Sequence, residues 1–216
     1  MSTYTPIASQ TLSAGVNIVT FNNLPQEYTD LVVVVNNGNS ASDNTCMRFN
    51  ADDGSNYSLT FLGGTGGANA TTGRSTGATY IRLDSESWST SSASSGSKII
   101  NIANYSSGSM YKTALIRSAN GSVGTSVTAA TWRNTSPITS ITIYALSGQN
   151  VTGSTFSIYG IQAGTPKAQG GSMVTNDGTY WYHVFTGSGT FIPNQSLTAD
   201  YLVIAGGGGG GGTAAT

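Results

Sequence analysis

The chain contains a single histidine, His183, and a single cysteine, Cys46. A nucleophile–base triad could therefore draw on only one imidazole. His183 sits in the alternating run Tyr182-His183-Val184 and reads as a strand histidine with its ring satisfied, not as a general base. Cys46 stands in TCMRF (residues 45–49), a strand-like setting that points to a buried, inert thiol. A lone cysteine makes no intrachain disulfide, and one histidine with one cysteine cannot close a tetrahedral metal shell. Oxygen ligands offer a sharper option. Asn50, Asp52, Asp53 and Asn56 cluster around Gly54 and could wrap a calcium ion. The segment lacks the glutamate that ends a full calcium loop, however, and the same residues compose an Asx-rich β-turn, which is the preferred reading. No catalytic residue, no cofactor and no metal is assigned.

The remaining candidates are weaker. Asp84 and Glu86 share a strand face by spacing, but a glycosidase pair must also stand about 5 to 10 Å apart. In a chain with nine acids they read as solvated surface groups. The glycine clusters are followed by neither Lys-Ser/Thr nor a helix, so they match no phosphate-binding loop. Sugars are bound by aromatic faces beside hydroxyl and amide groups. Trp88 and Tyr105 lie in or beside polar loops and are the glycan-contact candidates, whereas Trp132 and the 180–182 cluster (YWY) read as core or interface.

These side chains need a scaffold, and the composition describes it. Of 216 residues, 38% are hydrophobic and only 8% charged, with a formal net charge of −1; an ordinary soluble domain carries about 25% charged residues. A surface of Ser, Thr, Asn and Gly suits extracellular β-rich proteins and viral shell or fibre proteins. Near-neutrality gives no basic field for nucleic acid and little repulsion against self-association. Residues 1–15 lack the basic and apolar regions of a signal peptide, so synthesis in a cytoplasm without that export route is expected. No apolar run reaches the about 18 residues a membrane span requires, and no membrane insertion is expected.

Alternation at period two dominates the chain. Residues 15–21 (GVNIVTF) read as a first strand and 31–35 (LVVVV) as a central strand covered on both faces, by a second sheet or by a partner subunit. Residues 46–49, 58–62, 79–83 and 125–132 follow, with 98–103 and 112–117 as a strand pair around Gly108. Residues 63–77, which hold six glycines, read as a long surface loop. In 131–161, Ile141, Ile143 and Ala145, then Phe156 and Ile158, alternate with polar neighbours on either side of the connection 147–153 (SGQNVTG). They read as two antiparallel strands closing the domain. Turn signals every 8 to 15 residues predict an all-β antiparallel sandwich or jelly roll of about eight to ten strands. The expected division is 1–161 as the sandwich, 162–172 as a linker, and 173–216 as a small β segment leading into the glycine run 206–212. That run is either a flexible tether or close-packed extended glycine helices, and the chain is expected to continue beyond it.

Three segments carry a family likeness. Residues 47–58 (MRFNADDGSNYS), 132–135 (WRNT) with 153–161 (GSTFSIYGI), and 183–191 (HVFTGSGTF) with 199–205 (ADYLVIA) and the glycines resemble, in that order, parts of tailed-bacteriophage virion appendage proteins of the tail-fibre or receptor-binding type. The last segment resembles the entry to a phage glycine-rich domain. The resemblance implies a virion structural protein, usually a homotrimeric fibre, with other virion proteins of tail, baseplate or capsid as partners and a host surface glycan as a further one. A capsid decoration or head-fibre protein and a carbohydrate-binding module remain as alternatives, and an enzyme such as a depolymerase is the least supported class.

Overall fold

The computed structural model describes residues 4–41, 43–65, 70–84, 95–120, 124–161, 167–176 and 180–206. Every regular element in them is a strand, and none of the described residues is helical. The chain divides into two compact units, Ser2–Gly164 and Thr165–Thr216.

The first unit is an antiparallel β-sandwich. Its strands are β1 (Tyr4–Thr11), β2 (Ile18–Phe21), β3 (Asp30–Asn37), β4 (Thr45–Phe49), β5 (Tyr57–Gly64) and β6 (Thr71–Ala78). They continue with β7 (Ile81–Arg82), β8 (Gly96–Ala103), β9 (Lys112–Asn120), β10 (Gly124–Trp132), β11 (Ile141–Ala145) and β12 (Thr155–Ile161). One sheet runs β1-β12-β3-β8-β9-β10-β5-β6 and the other β2-β11-β4-β7. When the hairpins β5–β6 and β9–β10 are set aside, strands alternate between the sheets from β1 to β4 and again from β7 to β12, with the innermost pair, β4 and β7, together in the small sheet. They pair in a nest, β1 with β12, β2 with β11, β3 with β8 and β4 with β7. This is the path of one long hairpin rolled up on itself, the jelly-roll wrapping.

The core lies between the sheets, where alternate residues of every strand point inward. Leu31, Val33 and Val35 of β3 meet Ile100 and Ile102 of β8, with Met47, Ile141 and Ile143 of the small sheet, all at 0% exposure. Two glycines are required by close approach. A Cβ on Gly160 would sit 2.3 Å from the Tyr28 ring, and one on Gly73 would sit 2.2 Å from Phe61. In each case an aromatic ring covers bare backbone and takes the place of the missing side chain.

Three sequence expectations change. The two closing strands are not hairpin partners: β11 lies in the small sheet and β12 in the large one, and they face each other across the core. Period two assigns each an inward face, and both faces are satisfied whether residues 147–153 form a hairpin turn or a crossing between sheets. The glycine-rich region expected as a loop contains β6, paired to β5 from Gly63↔Thr71 to Tyr57↔Ala78. It is the edge strand of the large sheet, so its polar side chains need no apolar alternation. Strand β1 precedes the expected first strand and forms the opposite edge; its register shifts between Pro6 and Ala8, where proline interrupts a ladder at least cost. The sandwich thus has twelve strands among the described residues, against the eight to ten expected.

The second unit holds two short ladders. β13 (Ala168–Gln169) pairs with β16 (Ile192–Pro193), and β14 (Met173–Asn176) with β15 (Trp181–Val184). Part of the stretch read as a linker is therefore structured, with Ala168 buried. Gly170 and Gly171 carry φ of 99° and 106°, a left-handed turn that glycine adopts without strain. Residues 201–206 form no regular element, and Tyr201, Leu202 and Ile204 are more than four-fifths exposed. Glycines 207–212 lie outside the described residues.

Candidate functional site

The calcium candidate resolves into a turn stapled by its own hydrogen bonds. Asp52 Oδ1 accepts from the Gly54 amide at 2.9 Å and from Asn56 Nδ2 at 3.2 Å. Its Oδ2 accepts from Asn56 Nδ2 at 2.9 Å and from Trp132 Nε1 at 2.6 Å. Burial alone would raise the Asp52 carboxyl, but the donors Trp132, Asn56 and Gly54 outweigh it and hold the group below its ordinary 3.8. Asn50 Oδ1 is occupied by the amides of Thr139 and Ser140, and its Nδ2 donates to Pro137 O at 2.8 Å. Asp53 is exposed. The Asn50, Asp52 and Asn56 side chains are thus taken up by the turn and by the loop before β11. Among the described residues no three His, Cys, Asp or Glu side chains gather as a metal shell would need.

The other candidates scatter. His183 Nδ1 lies 2.7 Å from Gly170 O, and its ring packs edge-on against Phe191 at 5.1 Å, a fixing contact within the second unit. Cys46 is fully buried, which pushes its thiol upward. Tyr105 does not offer a face to solvent: it is fully buried and its hydroxyl donates to the Pro25 carbonyl, because the turn after β8 folds under the loop before β3. Trp88 and Glu86 lie outside the described residues.

Asp84 is not a solvated group. It is 2% exposed, and its Oδ1 pairs with Lys98 Nζ at 3.2 Å. Its Oδ2 accepts from the Thr45 amide at 2.8 Å. Lys98 Nζ also donates to Asn37 Oδ1 at 2.5 Å. Asn37 Nδ2 in turn donates to Asn150 Oδ1 at 2.7 Å and to Thr45 Oγ1 at 2.9 Å. Lys98, Asn37, Thr45 and Asn150 are each at most 1% exposed. Burial holds Lys98 below the ordinary lysine value, and attraction to Asp84 offsets part of that. A dry ion pair of this kind contributes little net stability, because desolvating two charges offsets their attraction. The signal was present in the strand phase. Lys98 shares the face of Ile100 and Ile102, and Asn37 that of Leu31, Val33 and Val35, so alternation alone turns a lysine and an amide toward the core.

The outer face of the large sheet is the second feature. Register places Val34, Ile99, Arg117, Val127, Leu62 and Thr72 in one cross-strand row. The next row is Val32, Asn101, Leu115, Ala129, Thr60 and Arg74. Leu62, Leu115 and Val127 are 54%, 46% and 46% exposed. Two shallow hollows of about 530 and 560 Å³ lie along these rows, and their lining residues include no aromatic ring on which a sugar could stack. Only a few charges, such as Arg74, Arg117 and Asp30, interrupt a skin of aliphatic and hydroxyl side chains. Comparison with protein-family models, with curated proteins and with solved structures finds no match.

Proposed function

We propose that this chain is a structural subunit of a bacteriophage virion, a fibre-like appendage engaged in host attachment that assembles as a homotrimer. The observation that carries the reading is the exposed aliphatic group Leu62, Val127 and Leu115 within two otherwise mixed rows on the outer face of the large sheet. Contiguous exposed apolar surface of this kind marks an interaction surface, and a net charge of −1 opposes no approach of identical copies. The role as a scaffold is supported by the dispersal of titratable groups: His183, Cys46 and the Asp52 turn are each engaged in holding local structure. The virion assignment rests on the resemblance of the segments at 47–58, 132–135, 153–161 and 183–205.

Two measurements test the two halves of the proposal. Mass spectrometry of purified particles, with immunogold labelling, should find the chain at the tail; absence from particles rejects the virion reading, and labelling of the head reassigns it as a capsid fibre. Sedimentation of the purified chain should give a trimer that Val127→Lys converts to monomer with unchanged circular dichroism. A trimer indifferent to Val127→Lys and to Leu115→Lys removes the outer face from the interface.

A further inference from the structure

We propose that the buried cluster joining β3, β8 and the segment after β7 is the site of an autocatalytic intramolecular amide cross-link between Lys98 Nζ and Asn37 Cγ, with Asp84 as its proton relay. The argument begins with reach. Val35 is the direct partner of Lys98 and Gly96 that of Asn37, so Lys98 and Asn37 are diagonal neighbours on the inward face. Gly96 puts no side chain opposite Asn37, and the lysine stem crosses that space to the amide. The amine stands 2.5 Å from Asn37 Oδ1. The carbonyl carbon is one C=O bond, about 1.2 Å, from that oxygen, so the amine already touches the group it would attack, and the step needs the amide to turn its face from the hydrogen-bonded edge toward Nζ.

The surroundings supply what the step needs. Its three participants are at most 2% exposed, so water, the competing nucleophile, is kept away. A lysine is a nucleophile only when neutral; desolvation favours the neutral amine, and Asp84, although its charge holds the ammonium, is the adjacent base that can accept the proton. Asp84, held by the Thr45 amide through its other oxygen, is placed to receive that proton. Thr45 Oγ1 and Asn150 Oδ1 hold the Asn37 nitrogen, which turns the carbonyl toward Lys98 and fixes the leaving group. The step balances as follows. Asp84 takes one proton from the ammonium, and the freed lone pair attacks Cγ. The Nζ–Cγ bond forms and the Cγ–Nδ2 bond breaks. Asp84 passes its proton to the departing nitrogen as it takes the second from Nζ. One ammonia leaves, Asp84 ends as the carboxylic acid, and nothing is oxidised or reduced. The product is a covalent tie between positions 61 residues apart, inside the sheet whose outer face exposes Leu62, Leu115 and Val127.

The test is the intact mass of the denatured full-length chain, followed by tryptic mapping. The expected mass lies below that of the sequence by one ammonia. The expected digest joins residues 1–48 to residues 83–112, with no cleavage after Lys98. Lys98→Arg and Asp84→Asn should each restore the full mass, and the second, checked for a β circular-dichroism signature, isolates the relay from the nucleophile. Because the wild-type mass decides by itself, a variant that fails to fold does not shield the proposal. An unmodified wild-type mass overturns it. Loss of one water, which would join Lys98 to Asp84, also overturns it. So does an ammonia loss that survives Lys98→Arg without a joined peptide, because Asn37-Gly38 could then have closed on its own backbone as a succinimide.

Discussion

The two faces of the large sheet are made by the same strands yet meet different fates. Along β9 the inward positions are Lys112, Ala114, Ile116, Ser118 and Asn120, and the outward ones Thr113, Leu115, Arg117 and Ala119. Residue type alone barely separates them. The inward side is closed by the small sheet, and polar members of β9 there find partners: the Lys112 ammonium donates to the carbonyls of Met110 and Thr135 at 2.7 and 3.0 Å, and Ser118 Oγ shares a hydrogen bond with Ser126 Oγ at 2.6 Å. The outward side leaves Leu115 and Val127 half exposed. Within this chain burial is decided by what faces a strand, and a leucine outside can be next to a lysine inside.

Substitutions can break or sharpen that contrast. The largest effect is expected at Trp132, which stacks on Tyr57 at 6.4 Å and meets Phe49 edge-on at 5.6 Å. Trp132→Ala should cost about 3–5 kcal/mol, read as a lower midpoint in chemical denaturation. The neighbours Ile116 and Leu115 make a matched pair. Ile116→Ala should cost about 2–5 kcal/mol, while Leu115→Ala should stay within about 0.5 kcal/mol in the monomer and weaken only self-association. Equal costs at the two positions would erase the distinction between the faces.

Asp52→Ala comes next, at about 1–3 kcal/mol, because it leaves the Trp132 indole N–H without its acceptor. Its pH dependence carries a sign. The folded carboxyl is held below 3.8, so its contribution is present above the unfolded pKa and lost as pH falls through the folded value. The stability gap between wild type and Asp52→Ala should therefore narrow on acidification below about pH 4. A gap that stays constant to pH 2 would show that the charge of Asp52 contributes nothing. The smallest effect is expected at the chain-end strand: Ser9→Ala removes an exposed hydroxyl pair with Ser157 at 2.9 Å and should change stability by no more than about 0.5 kcal/mol.

What could be read in advance follows the same division. Strand signals located β3, β4, β5, β8, β9 and β10, and alternation set the inward phase of β11 and β12, because a half-buried strand must keep one face apolar; β3, a continuous run of aliphatic residues, gave no phase of its own. Alternation could not choose between pairing β11 with β12 and opposing them, since both arrangements bury Ile143 and Ile158. β6 escaped notice because an edge strand held by its ladder to β5, with Phe61 lying over Gly73, needs no apolar period of its own. Asp84 was taken for a surface acid because acids are seldom buried. Its partner was legible in Lys98, whose phase with Ile100 and Ile102 points it inward. Tyr105 was misread through its polar neighbours, which say where the loop runs but not that it tucks beneath residues 25–28.

The nested pairing has one practical consequence. Tyr4 and Ile161 are direct partners, so the backbone enters and leaves the sandwich at neighbouring points, about 4.5–5.5 Å apart. A short bridging peptide could join those two points, and the chain could be reopened at the exposed Gly108 bend, where nothing lies within 4 Å of an added Cβ. Such a circular permutant of the sandwich would keep every ladder of its two sheets while moving its free ends to the bend between β8 and β9.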